Sequence, residues 1–260
     1  MTQTGARQVS ERASFVRADN PGIMTLDGTN TWILRAPGGG RAIVVDPGPV
    51  DPAHLDAVQE AAGDIALVLY THHHGDHTDA FDAMRERTGA PALAVSADYC
   101  SDAGPVSDGE IVEVDGLAVE VLLTPGHTAD SMCLRLLDEP TLLTGDTVLG
   151  HGTTVVAHPD GALGPYLDSL ARLRELVEEG AVARILPGHG PVVDDARAVL
   201  DFYVDHREER LDQVRASLAR GHTTPRAVVE DVYAAVDESL WGAAELSVRA
   251  QLEYLEAERA

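Results

Sequence analysis

Residues 71–79 read THHHGDHTD, four histidines and two aspartates in nine positions. Imidazoles and carboxylates at this density make poor core material, and they are the side chains that hold divalent cations. The spacing is His72-x-His74-x-Asp76-His77. In extended backbone, residues two apart face the same way, so His72 and His74 can reach one ion while His73 is turned to the opposite side. Asp76 and His77 are adjacent where the chain turns towards a helix, and they suit a neighbouring ion. One tetrahedral ion does not comfortably accept all four, and each of two ions would still lack ligands.

Three further places supply metal-capable side chains: His127 in LLTPGHTADS, Asp146 in TLLTGDT and His189 in ILPGHGP. Each follows an apolar run of strand type, and each has a glycine beside it, which permits the close backbone approach that a crowded centre requires. Strands must therefore bring together ligands that are distant in sequence. NTWIL (Asn30 to Leu34), RAIVVD (Arg41 to Asp46) and ALVLYT (Ala66 to Thr71) read as strands, the last running straight into the histidine cluster. Asp51 to Ala62 reads as a helix with an N-cap aspartate and an early proline, and DAFDAMRERTG as a helix closed by Gly89. Glu110 to Thr124 alternates in polarity around Asp115-Gly116, a hairpin signal. SMCLRLL and TLLTGD extend that block, and Leu163 to Gly180 is an amphipathic helix. From Ala196 onward only helices are expected: Leu200 to Arg220, Pro225 to Ala235, and Ser239 onward.

His-x-His-x-Asp-His followed in order by Gly-His-Thr, Gly-Asp and Pro-Gly-His-Gly resembles the metallo-β-lactamase superfamily over most of Gly28 to Asp194. DGTNTWIL, TPGHTADSMCLRL, TGDTVLGHGTTV and YVDHREER narrow the resemblance to the beta-lactamase-like protein 2 group, whose members carry a small C-terminal winged-helix-like domain. The resemblance implies an α/β fold, a four-layer αββα sandwich, in residues 1–195, with a helical appendage in 196–260. It implies a two-metal site in which His72, His74 and His127 hold the first ion. Asp76, His77 and His189 hold the second, and Asp146 bridges them. Asp76 and Asp146 are the residues expected to serve catalysis. The ions would be zinc on the strength of the histidine-rich set, with iron or manganese as alternatives. Two divalent ions, two aspartates and one bridging hydroxide leave the centre near +1. A water so held has its pKa lowered to roughly 7 and would attack a carbonyl or phosphorus, with Asp76 steering the proton.

The surrounding chain is acidic: 43 Asp and Glu against 19 basic residues, all of them arginine, for a formal charge of −24. Such a surface repels polyanions. From Arg207 to Arg226 the balance reverses locally, with five arginines against three acids. Arg207 and Arg210 there, and His151 in LGHGTTV, are candidate substrate contacts; a solvated helix face and an ordinary loop histidine are the competing readings. Asp46 in VVDPGP divides evenly between a turn former and a group that supports the ligands. His54, His158 and His222 are expected at the surface. Asp79 and Ala80 stand where relatives often carry glycines. With only Cys100 and Cys133, no close cysteine pair, no apolar leader in the first thirty residues and no run of membrane-spanning length, a soluble, cytoplasmic protein is expected, its oligomeric state left open.

The leading functional reading is a metal-dependent hydrolase of a small ester, thioester or related acyl compound. The alternative is a single-strand-specific endoribonuclease, RNA being the nucleic acid kept open; acidity and an aromatic content of 4% speak against a stacking groove. A non-catalytic protein that retains metal is the third.

Overall fold

The computed structural model describes residues 5–259; Met1–Thr4 of the polar N-terminal stretch and Ala260 lie outside the description. In chain order the elements are β1 (Arg7–Gln8), β2 (Ala13–Arg17), β3 (Asn30–Leu34), β4 (Ala42–Val45), α1 (Pro52–Ala62), β5 (Ile65–Leu69), α2 (Gly75–Thr78), α3 (Phe81–Thr88) and β6 (Ala92–Leu93). They continue as β7 (Ile111–Val114), β8 (Leu117–Leu123), β9 (Met132–Leu136), β10 (Thr141–Gly145), α4 (Leu163–Glu178), β11 (Arg184–Pro187), α5 (Ala196–Ala219), α6 (Pro225–Val232) and α7 (Trp241–Ala257).

Local chemistry accounts for several boundaries. The Asp51 carboxylate accepts from the backbone N–H groups of Ala53 and His54, and Pro52 opens α1. Asp115 and Gly116, both at positive φ (46° and 87°), turn β7 into β8. Strand β2 was not expected. Its ASFVR buries Ala13, Phe15 and Val16 within a polar N-terminal stretch, and it pairs with β3 along its length.

Six strands form one sheet in the order β1-β2-β3-β4-β5-β6, and five form the other, β11-β10-β9-β8-β7. The β4–β5–β6 and β10–β11 pairings are parallel and the others antiparallel. Alternation in the strands sorts the side chains into layers. Ile43, Val45, Leu67 and Leu69 point between the sheets, where they meet Val119, Val121, Leu134 and Leu186. Val44 and Val68 point outward under α1 and α3, against Leu55, Val58 and Met84. On the other side, Leu142 and Ile185 are covered by α4, α5 and the last two helices through Leu170, Tyr203, Val229 and Val248. The result is the expected αββα sandwich. The helices after residue 195 share this outer cluster with α4 and β11.

The sheets are tied together at the edge where β4, β5, β10 and β11 end. Met132 N donates to Thr71 O (2.9 Å) and Asn30 N to Gly188 O (2.8 Å), while Gly188 N donates to Gly145 O (2.8 Å) within the second sheet. His54, expected at the surface, is buried: its Nε2 lies 2.9 Å from Thr31 Oγ1 and 3.1 Å from Pro47 O. The helix spacing of α1 turns this histidine inward, and the strand-end groups give it hydrogen bonds. No helix among the described residues is long and apolar enough to cross a membrane.

Trp32 joins core and edge, because its buried indole donates to Pro187 O (3.0 Å) two residues before His189. Trp32→Ala should cost about 3–5 kcal/mol in urea unfolding; a loss under about 1 kcal/mol would show that this contact is not structural.

Candidate metal centre

The ends of β4, β5, β8, β10 and β11 deliver Asp46, His72, His127, Asp146 and His189 to one edge of the sandwich. The short α2, which follows β5, adds Asp76 and His77. With His74, which caps the start of α2, all seven ligand candidates singled out in the sequence meet here, beside Asp46. His74 Nδ1 lies 3.1 Å from both His72 Nε2 and His127 Nε2. Asp76 Oδ2 lies 3.0 Å from His189 Nε2 and 3.4 Å from His77 Nε2, and those two nitrogens are 3.2 Å apart. Between the two trios stands Asp146. Its Oδ1 is 3.5 Å from His77 Nε2, and its Oδ2 is 3.4 Å from His189 Nε2 and 3.9 Å from His127 Nε2.

Three observations fit this donor set to divalent cations. First, bonds of about 2.0–2.1 Å in a tetrahedron put donors about 3.3 Å apart; the spacings in the Asp76 trio, and those from His74 to His72 and His127, are 3.0–3.4 Å. Second, Asp146 Oδ1 is buried without a hydrogen-bond partner, an expense that a bound cation would remove. Third, a Cβ on Gly188 would stand 2.6 Å from that oxygen and 2.9 Å from His77 Cε1. Only a bare backbone lets β11 close the cradle.

The outer nitrogens decide which ring atom faces inward. His77 Nδ1 donates to Asp46 Oδ2 (2.9 Å), His127 Nδ1 to Val155 O (2.7 Å) and His189 Nδ1 to Gly28 O (3.3 Å). Thr71 donates its hydroxyl proton to Asp46 Oδ2 (2.7 Å) and its Oγ1 accepts from His72 Nδ1 (3.0 Å). In four of the five rings Nε2 is thus left as the inward lone pair. Asp46 is a support for the ligands rather than a turn former, and it also accepts from Thr71 N (2.8 Å). It sits at φ 51°, an uncommon conformation for a residue with a Cβ, held by these three bonds. Its strand-end position, shared with Asp146, is the one sequence signal of this role; Thr71, Thr29 (Oγ1 3.4 Å from Asp76 Oδ2) and Val155 carried none.

Electrostatics separates the two trios. Burial, then the charge of its neighbour His77, drives His72 well below its ordinary pKa; burial also lowers His127. His74 falls to about 4 through burial and then His127. Burial also opposes protonation of His77 and His189, but the Asp146 charge, with Asp46 for His77 and hydrogen bonds to Asp146 and Asp76 for His189, outweighs it. His77 rises well above its usual value and His189 to about 9. Asp146 is itself held well below the carboxylate range: burial acts against this, and the charges of His77 and His189 prevail.

The remaining candidates lie elsewhere. His73 turns away, as expected, with Nδ1 2.8 Å from Asp130 Oδ1. His151 is exposed on the loop after Asp146. Arg207 is not open to a substrate. It is 5% exposed, its Nη2 donates to Thr154 O (2.6 Å), and its guanidinium stacks on Tyr166 at 4.9 Å. Arg210 lies over the Tyr233 ring at 4.5 Å and donates to Gln213 Oε1 (2.8 Å), within the helical appendage. Both arginines are on faces of α5 that pack inward, which the charge count could not distinguish from a solvated face.

The sequence pattern of the metallo-β-lactamase superfamily matches residues 24–189, and that of the β-lactamase-associated winged helix domain matches residues 224–259. A lactamase-like protein, adaB, of Aspergillus niger is 36% identical over 226 residues, covering 82% of this chain; the chain spans 66% of that protein's length. A beta-lactamase-like protein 2 homologue of Caenorhabditis elegans is 34% identical over 242 residues, 87% of this chain and 78% of that protein. A crystal structure of a metallo-β-lactamase family protein from Thermus thermophilus superposes over 97% of this chain and 96% of its own, with a TM-score of 0.81 at 21% identity.

Cations entering the trio of Asp76, His77 and His189 must displace protons, whereas His72, His74 and His127 are already neutral at pH 7. Affinity at the former should rise with pH through neutrality at least to about 9, the value of His189, since His77 is raised as well, changing about tenfold per pH unit for each proton displaced. Affinity at the latter should hold until pH falls towards about 4, the value of His74. Calorimetric metal titrations in buffers of different ionisation enthalpy should resolve the two; identical pH dependence at both would contradict the assignment.

Proposed function

The chain belongs to the metallo-β-lactamase superfamily, and from that premise we propose that it is a binuclear metal-dependent hydrolase, using zinc, of a small ester, thioester or related acyl substrate. His72, His74 and His127 hold one ion in this reading, Asp76, His77 and His189 the other, and Asp146 joins them. The observation that carries it is Asp146, a buried carboxylate facing both trios with one oxygen unpartnered.

Two divalent cations supply, when bound, Lewis acidity and a water acidified to a pKa of roughly 7. The chain supplies the rest. Asp46, Thr71 and Val155 fix the imidazoles in one tautomer. The Asp76 side chain, 28% exposed against 9% for Asp146, is the carboxylate at the solvent side; burial opposes its charge, but hydrogen bonds from His189 and His77 keep it ionised, so that it can accept and steer a proton. Cys133 is not a competing nucleophile: it is fully buried, and burial raises its pKa to about 11.

An acyl substrate suits the rim. The loop ending at Thr29, which contacts Asp76, exposes Ile23 and Met24 at its tip, and Val50 stands exposed beside Gly48, whose N–H donates to His77 O. Apolar groups there and a −24 charge favour a small, largely apolar substrate over a polyanion. The endoribonuclease reading uses the same centre but needs a basic track, and Arg207 and Arg210 do not form one. The division into residues 1–195 and a 196–260 appendage, and a cytoplasmic setting in keeping with two free cysteines, belong to the same proposal.

Metal-loaded protein offered thioesters, lactones, phosphodiesters and single-stranded RNA should turn over an acyl compound, with a rate nearly independent of salt. Turnover of RNA alone, weakening steeply with salt, would replace this reading with the nuclease. Asp146→Ala should lose one metal equivalent and lower turnover beyond the ~10–100-fold that an outer support costs; unchanged activity would refute the bridging role.

A further inference from the structure

Arg207 is a buried cation with no carboxylate partner: none of the ion pairs among the described residues includes it. Its Nε is buried without any acceptor. Burying a guanidinium in this way is costly, and its place in the fold shows what the cost obtains.

Residues 147–155 form a loop without regular structure that starts beside Asp146 and ends beneath His127. At its end, Val155 O accepts from His127 Nδ1, and Thr154 Oγ1 stands 3.1 Å from the same nitrogen. Three side chains pin the loop. Tyr166 of α4 donates its hydroxyl to Thr147 O (2.7 Å). From α5, Tyr203 Oη accepts from Leu149 N (2.8 Å) and Arg207 donates to Thr154 O. Tyr203 and Arg207 are four residues apart and share a helix face. The Arg207 bond fixes the peptide joining Thr154 to Val155, the unit next to the carbonyl that orients His127. The backbone of His127 is seated independently: a Cβ on Gly126 would lie 2.3 Å from Tyr166 Cα, and Ala162 N donates to Gly126 O (2.9 Å).

We infer that Arg207 is a positioning residue for the metal centre: through Thr154 and Val155 it sets the ring of His127, making the first helix beyond residue 195 a working part of the site. The inference rests on the metal-site reading above, to which it adds a selective effect. Only the ion that depends on His127 should feel the loss of Arg207, because His77 and His189 are supported by Asp46 and Gly28 O on the other sheet.

The test is a Co2+ titration of the full chain with a competing chelator, followed by absorbance. His127→Gln identifies the uptake step to watch. Arg207→Met should weaken that step about tenfold, within the ~10–100-fold range for outer supports, and leave the other step unmoved. Arg215→Met on the same helix, whose partners are the exposed Asp212 and Glu258, should change neither. If Arg207→Met fails to fold, Tyr203→Phe takes its place, with a smaller weakening of the same step. Wild-type affinity at that step in a folded Arg207→Met or Tyr203→Phe, or equal weakening of both steps, overturns the inference. Should the wild-type chain bind no cobalt, or His127→Gln alter no step, the metal-site reading itself fails and this one with it.

Discussion

Five imidazoles and two carboxylates, all but His74 and Asp76 buried, are crowded to separations of 3–4 Å. Such a cluster is electrostatically unfavourable unless positive charge enters it. The chain offers protons on His77 and His189, and these serve just one side: burial disfavours the charged forms of His72, His74 and His127. Much of the fold serves to hold this arrangement against its own repulsion. The parallel strands β4, β5, β10 and β11 end together. Glycines at 145 and 188 allow those ends to approach more closely than any side chain would permit, and Gly126 does the same for the His127 loop against α4.

Support for the ligands is divided between the layers. Asp46 and Thr71, at the ends of β4 and β5, serve His77 and His72 from the first sheet. His127 depends on the other half of the molecule, where α4 seats its backbone and a loop clamped by α4 and α5 seats its ring. Two ions bound at once would therefore stitch the halves of the sandwich together. A sandwich whose sheets meet through a few backbone bonds at this edge gains stiffness from such a bridge.

The seven clustered side chains were legible in the sequence because they are local and chemically distinctive. His72, His74, Asp76 and His77 lie within one stretch, and His127, Asp146 and His189 each close an apolar run beside a glycine. Their supports were less so. Asp46 could be narrowed only to a turn former or a support, since its partners, Thr71 and His77, are 25 and 31 residues away. Arg207 was read as one charge in an arginine-rich stretch and lies buried, because which face of α5 turns inward is set by α4 and the 147–155 loop. His54 looked like a surface residue and is buried under β3 and β4. In each case the deciding contact is long-range, and spacing along the chain does not encode it. Strand β2 escaped for a related reason: its apolar residues are few, and pairing with β3 is what makes them a strand.

The most direct test is anomalous diffraction at the zinc edge from crystals of the metal-loaded chain. Two peaks are expected, one in bonding contact with His72, His74 and His127, the other with Asp76, His77 and His189, and Asp146 reaching both. A single peak, or none with the seven side chains arranged as they are here, would contradict the binuclear account.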